Sequence, residues 1–293
     1  MTTVGTCILC GGGALREMAG FSAYLDLPGN SDSRIVRCAA CAMMFLEPYP
    51  SPEELNKMYS ETYFVADDVP QAKDAGAPLD YSGIAHERMA KFQSTIDLIR
   101  TFVPTPARLL DIGAATGEFL DIARRGGYDV AGIELSAYAA LQARERFGFE
   151  FFVGPLDAYP GSDPFDVIHL SHVLEHLVDV HASIETMSTL LSDKGAIYIE
   201  VPFSWNWIEQ IRHSIGKDLS FSVWSVHHRS FFRPDSLRAF FARHGFTCRH
   251  LSLNPPNRYP SLTLPARAKR AVWQNLSHVG QGLLIEAVFT RND

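Results

Sequence analysis

The sequence predicts an α/β protein: a Rossmann-like sheet, mostly parallel with an antiparallel last strand, preceded by a small zinc-ribbon-like module. Three observations carry this expectation. Strand-like and helical runs alternate from Arg108 onward, a glycine-rich turn joins the first such strand to its helix, and two Cys-x-x-Cys pairs precede both. Alternation of this kind implies a parallel sheet with helices on both faces.

At 293 residues the chain corresponds to roughly two average domains and is long enough to bury about three quarters of its unfolded surface. That excludes a disulfide-stapled miniprotein. Hydrophobic residues at 46% and charged residues at 20% are ordinary for a globule, and 21 Gly with 17 Pro are too few for a fibrous or disordered chain. The 33 acidic and 26 basic residues leave a net charge of −7, which opposes attraction to phosphate backbones and anionic lipid. Nucleic acid is therefore not the expected partner. No apolar run approaches the roughly 20 residues of a membrane helix, and the first residues lack a basic n-region and a long apolar h-region, so a cytoplasmic protein without a membrane partner is expected.

Taken in order, Cys7 with Cys10 and Cys38 with Cys41 are CxxC pairs separated by 27 residues. This spacing suits four thiolates converging on one zinc ion. Four thiolates close the coordination sphere and leave no position for a water or substrate, so the zinc is expected to be structural. Two disulfides are the alternative. Between the pairs lie the turn-rich Pro28 to Asp32 and the strand-like Ile35-Val36-Arg37. Cys248, among apolar neighbours, reads as a small core residue.

Ser51 and Pro52, followed by Glu53 and Glu54, read as a helix start, and residues 66–80 as an acidic loop without periodicity. From Ser82 to Phe102 the apolar residues Ile84, Met89, Phe92, Ile96 and Ile99 recur at helical spacing, and Pro104 stops the run. Strands are then expected at Leu109–Ile112, Tyr128–Glu134, Phe149–Val153, Phe165–Leu170 and Ala196–Val201, with helices from Glu118 and over Ser136–Phe147. Phe246–Leu253 and Gly282–Thr290 finish the sheet as a hairpin edge. Trp205, Trp207, Ile208, Ile211 and Ile215 suggest a helix whose apolar face covers either a substrate or the core. Asn254-Pro255-Pro256-Asn257 reads as a loop.

The first strand ends in Asp111-Ile112-Gly113-Ala114-Ala115-Thr116-Gly117, a DxGxxxG turn whose glycines let backbone approach a ligand closely. Glu134 stands 23 residues after Asp111, at the end of the next strand, where a carboxylate accepts ribose hydroxyls. A nicotinamide dinucleotide site would place one there too. Asp157, after the third strand, suits an adenine amino group, and the fourth strand runs into Ser171-His172-Val173-Leu174-Glu175-His176.

In these motifs the chain resembles the class I S-adenosylmethionine-dependent methyltransferases, especially the subgroup with an N-terminal four-cysteine zinc module. The resemblance implies that Asp111, Gly113, Ala114 and Gly117 cradle the methionine part of the donor, that Glu134 and Leu135 hold the ribose end, that Asp157 and Ala158 frame adenine, and that Ser171 borders the site. It also implies a division into a zinc-binding module (1–50), a helical linker and lid region (51–103) and a donor-binding core (104–293). Glu200-Val201-Pro202 and His227-His228-Arg229-Ser230-Phe231-Phe232 further resemble deoxysugar C-methyltransferases. Those enzymes carry an additional C-terminal domain that this sequence lacks, which favours methyl transfer to oxygen over carbon or nitrogen of a small-molecule acceptor such as a sugar or natural-product intermediate.

His176 and His228 match acid–base positions of the sugar enzymes, and His172 and His227 are further catalytic candidates. Imidazole, with an ordinary pKa near 6.5, suits removal of the acceptor's proton. His181, His213 and His250 are expected on the surface. Two other functions stay open. An RNA methyltransferase gripping RNA with its zinc module would need a basic surface, and Cys7–Cys41 holds only Arg16, Arg34 and Arg37. A nonenzymatic donor-binding protein is the other.

Overall fold

The computed structural model describes residues 5–18, 33–49, 81–215, 228–254 and 282–292. The helix start at Ser51, the loop at 66–80, His227 and Pro255–Asn257 lie outside them. In chain order the cysteine segment supplies β1 (Leu15–Glu17), β2 (Arg34–Cys38) and β3 (Met44–Glu47), and helix α1 (Tyr81–Phe102) leads to β4 (Ala107–Ile112). Then follow α2 (Glu118–Arg125), β5 (Tyr128–Glu134), α3 (Ala137–Phe147), the short β6 (Phe152–Val153), β7 (Phe165–Ser171), α4 (Val180–Leu190) and β8 (Leu191–Pro202). The chain closes with α5 (Trp207–Ser214), β9 (Ser230–Phe231), α6 (Pro234–Arg243), β10 (Phe246–Asn254) and β11 (Leu284–Arg291).

Seven strands form the main sheet in the order β10-β11-β8-β7-β4-β5-β6. β4 through β8 run parallel, and β11 enters antiparallel between β8 and the edge strand β10. Period-2 alternation sorts the side chains onto two faces. Leu110, Ile112, Ile168, Leu170, Ile197 and Ile199 enter one apolar cluster, while Leu109, Val167, Ala196, Tyr198 and Val288 enter the other. Short polar residues start the helices: the Ser136 hydroxyl accepts from the Ala139 amide, and Asp179 from the amides of His181 and Ala182.

Three local expectations differ from the structure. Of Phe149–Val153 only Phe152 and Val153 are strand, because Phe149 is buried in the α2 side of the core, with the Arg124 guanidinium over its ring and Phe151 stacked beside it. In α5 the apolar stripe of Trp207, Ile211 and Ile215 faces outward. Its N-terminal turn is fixed instead by buried polar residues: Asn206 accepts from the Glu209 amide and donates to Gly282 O, and Glu209 accepts from the Trp205 amide. Finally, α1, expected within a linker and lid, places Ile96 and Ile99 in the core.

The cysteine segment does not stand apart. β1, β2, β3 and β9 form a second sheet in that order, so residues that follow β8 supply its fourth strand. Cys7, Leu9, Val36, Met43 and Phe45 share one apolar cluster with Phe232, Leu237, Phe240 and Phe241. Arg243, at the end of α6, donates to Leu9 O at 3.3 Å. No described helix is long and apolar enough to cross a membrane.

A shared core predicts shared unfolding. Phe45→Ala removes a fully buried ring and is expected to destabilise the chain by about 3–5 kcal/mol. Calorimetry should show one transition moving to lower temperature, whereas a separate early transition with the main one unmoved would show that the cysteine segment folds independently.

Candidate active site

The turn after β4 is held against the end of β5. The amides of Gly113 and Ala114 both donate to Ile133 O, at 2.8 and 3.0 Å, and the Ala115 amide donates to Glu134 Oε2 at 2.8 Å. Glu134 Oε1 accepts from the Ser136 amide at 2.8 Å, so this buried carboxylate ties the two strand ends together. Gly113 and Gly117 have φ of +79° and +86°, where a Cβ is strained. At Gly113 there is no room either: a Cβ would stand 2.5 Å from Val173 Cγ2.

Val173 belongs to the loop leaving β7, which brings that loop directly onto the glycine turn. Ser171 donates to Glu200 Oε1 at 3.3 Å. His172 has a left-handed backbone, φ +56°, and its amide donates to Glu200 O. A 3₁₀ turn, Leu174–His176, then buries Leu174 and Glu175. His228 approaches from the segment before β9, its ring edge-on to His176 at 4.8 Å between centroids. Arg229 secures the approach, its amide donating to Glu175 O at 2.8 Å and its carbonyl accepting from the Leu46 amide at 3.0 Å.

Of the sequence candidates, His172, His176 and His228 thus share one cluster. Ligand atoms of Glu175, His176 and His228 lie within 4.8 Å of one another. Asp111 behaves otherwise: its buried carboxylate is 2.6 Å from His169 Nδ1, and that imidazole is stacked between Phe119 and Tyr198. Leu135, Asp157 and Ala158 are exposed beyond the ends of β5 and β6. His181, His213 and His250 are half-buried rather than on the surface, and His181 Nδ1 lies 2.7 Å from His244 Nε2.

Several groups escaped the sequence reading. Glu175 is 1% exposed. Burial pushes its carboxyl up, but the His172 imidazole and the charges of His176, His172 and His228 outweigh this and hold it at about 2. Lys91, from α1, lies 2.5 Å from Glu200 Oε2 and 2.9 Å from Glu286 Oε1. Burial opposes its charge, and the two carboxylates more than restore it, raising its pKa. Tyr198 donates to Glu286 at 2.6 Å, and burial followed by the Glu200 and Glu286 charges pushes its phenol up. A lysine one turn from Thr95 on the inward face of α1 was the available signal for this network.

In the cysteine segment Cys7 and Cys41 Sγ are 3.6 Å apart, as are Cys10 and Cys38 Sγ. All four sulfurs lie within 4.8 Å of one another. The 3.6 Å separations are close to the edge of about 3.8 Å of a tetrahedron with metal–sulfur bonds of about 2.3 Å, and far beyond a disulfide's roughly 2.0 Å. Burial opposes ionisation of Cys38, but the amides of Cys41 and Ala40 and neighbouring thiols lower it to about 7.

Residues 84–251, more than half of the chain, match the family model described as a methyltransferase domain. The chain belongs to that family, as a class I S-adenosylmethionine-dependent methyltransferase domain. Among solved structures it is similar to magnesium protoporphyrin IX methyltransferase from Synechocystis PCC 6803 with bound S-adenosylhomocysteine, at 12% identity and TM-score 0.55, covering 83% of this chain and 100% of that one. It is also similar to the Burkholderia thailandensis 1,6-didemethyltoxoflavin-N1-methyltransferase with bound 1,6-didemethyltoxoflavin and S-adenosylhomocysteine, at 16% identity and TM-score 0.53, covering 91% of this chain and 98% of that one. These likenesses are of fold. No curated protein matches the chain.

The Gly113–Val173 contact yields a test. Gly113→Ala combines a positive φ with a sub-van-der-Waals contact and is expected to cost about 1–3 kcal/mol of stability. It should also weaken S-adenosylhomocysteine binding at least tenfold in calorimetry. Wild-type affinity would show that this turn is not part of the donor site.

Proposed function

We propose that the protein transfers the methyl group of S-adenosylmethionine to an oxygen of a small-molecule acceptor, such as a sugar or natural-product intermediate. One observation carries the reading: the glycine turn and the imidazole-bearing loop are packed against each other through Gly113 and Val173, so donor and proton-accepting groups share one sheet edge. Ligands of open α/β sheets occupy that edge.

The donor supplies a methyl already activated on a sulfonium. Glu134 accepts one amide on each oxygen and keeps a lone pair on each for the ribose hydroxyls. Leu135, Asp157 and Ala158, exposed beyond it, border the adenine, and Ser171 lines the approach from β7. Asp111 acts through His169, holding the floor beneath the turn rather than touching the donor. The chain's remaining work is alignment, exclusion of water, and removal of one proton by the cluster of His172, His176 and His228.

The four thiols are assigned to one structural zinc ion, with Cys7, Cys10, Cys38 and Cys41 as ligands. Their separations favour this over two disulfides. Its place beside the Glu175 loop, through β3 and β9, supports a zinc site that buttresses the acceptor side.

The direct experiment is a mass-shift screen of hydroxylated acceptors with S-adenosylmethionine, paired with calorimetry. S-adenosylhomocysteine should bind and NAD should not. Glu134→Gln, which removes one acceptor while keeping shape, should weaken S-adenosylhomocysteine binding by about 1.5–3 kcal/mol, or roughly 10- to 150-fold. Unchanged affinity in this variant, or NAD binding, would refute the donor assignment.

A further inference from the structure

The three imidazoles at the exit of β7 are not equivalent, and the difference lies in two buried carboxylates. Glu175 is inaccessible to water, and neither of its oxygens is closed by a hydrogen bond of ordinary length. A desolvated carboxylate is costly unless charge or a donor lies close. His172 Nδ1 stands 3.5 Å from Glu175 Oε1, and His176 Nε2 stands 3.9 Å from the same oxygen. His172 also meets a second carboxylate, its Nε2 lying 3.8 Å from Glu200 Oε1 while Lys91 holds Glu200 Oε2.

Accessibility separates the rings further. The His172 side chain is 48% exposed and that of His176 22%, while His228 is buried. His172 sits on a left-handed backbone, φ +56°, a conformation that recurs where a side chain must be aimed. Its neighbour Val173 rests on Gly113 of the donor turn. His176 turns Nε2 toward Glu175 and packs its ring against His228, so those two rings wall in the carboxylate.

We propose that Glu175 and His172 form a carboxylate–imidazole dyad for the transfer step, in which Glu175 is the positioning residue and His172 the base. This rests on the methyltransfer reading above and replaces His176, the first candidate from sequence, as the proton acceptor. Glu175 accepts from Nδ1–H and so fixes the tautomer and plane of the ring, leaving the Nε2 lone pair for the acceptor. The acceptor's O–H proton passes to Nε2 while an oxygen lone pair forms the bond to the methyl carbon. The carbon–sulfur bond breaks with its electrons left on sulfur, giving S-adenosylhomocysteine and an imidazolium that faces Glu200. The 3.5 Å contact is long for a hydrogen bond, as catalytic contacts commonly are before substrate binds.

The test does not need the acceptor. In protein labelled with ¹⁵N at histidine, the His172 imidazole, assigned by its loss in His172→Gln, should occupy the Nδ1–H tautomer when neutral and should shift on adding S-adenosylhomocysteine. Glu175→Gln should abolish the tautomer preference and lower the titration midpoint of His172. Glu200→Gln should lower the midpoint and strengthen the Nδ1–H preference, because it removes the carboxylate charge nearest Nε2. The charged and titratable groups facing this ring include Glu175 and Glu200, with His176 behind the first and Lys91 behind the second. Glu200→Gln and His172→Gln keep the test open if Glu175→Gln does not fold. With an acceptor found by the mass-shift screen, His172→Gln should lower kcat about 10²- to 10⁴-fold with the donor KM unchanged. A His172 ring whose tautomer ignores Glu175, or a His172→Gln enzyme within threefold of wild-type kcat, would overturn the dyad. Failure of the wild type to bind S-adenosylhomocysteine would overturn the methyltransfer reading instead.

Discussion

Arg229 joins three parts of this molecule through its backbone alone. Its amide donates to Glu175 in the loop after β7, and its carbonyl accepts from Leu46 in β3 of the cysteine segment. Its guanidinium meanwhile covers the Tyr49 ring at 4.6 Å. Because main-chain donors and acceptors cannot be left unpaired in a buried setting without cost, this residue fixes the position of the 3₁₀ turn relative to the small sheet. β9 begins one residue later, so the pairing of Phe45 with Ser230 is in turn set by the same link. Glu175, His176 and His228 owe their proximity to it.

The second organising feature is a ladder of buried polar groups on the α1 face of the main sheet. Across neighbouring strands Asp111 pairs in register with His169 and His169 with Tyr198, and one step toward the carboxyl edge Ser171, Glu200, Glu286 and Ser252 follow one another. A sheet built for stability alone would carry aliphatic residues at these positions, since buried ion pairs seldom outperform well-packed apolar ones. The ladder ends at His172, and every carboxylate in it has a donor close by: His169, Lys91, Tyr198 or Ser252. Its placement runs these charges toward the carboxyl edge of the sheet, where ligands of open α/β sheets bind.

Much of this was legible beforehand, for identifiable reasons. Parallel strands buried on both faces read as apolar runs, and tight βα turns require glycine, so β4, β5, β7 and β8 and the Gly113 turn could be located by pattern. Twin CxxC spacing marked the four cysteines that come together. What failed depended on partners distant in sequence. Phe149 is drawn out of a strand by Arg124, and α5 is oriented by buried Asn206 and Glu209 rather than by its apolar stripe. The charges of Lys91, Glu200 and Glu286 carry no local periodicity, and their meaning appears only when α1 lies across the sheet. The contacts of the histidines likewise depend on which nitrogen faces which carboxylate, a relation no spacing encodes.

The central claim is that the cysteine segment, β9 and the imidazole loop form one unit. Hydrogen exchange with and without zinc, removed by a chelator and followed by metal analysis, tests it most directly. The account predicts that amides of Leu46 and Arg229 and those of residues 172–177 lose protection together when the metal leaves, while β4 and β5 keep theirs. Loss confined to residues 5–47, with 172–177 unchanged, would contradict it.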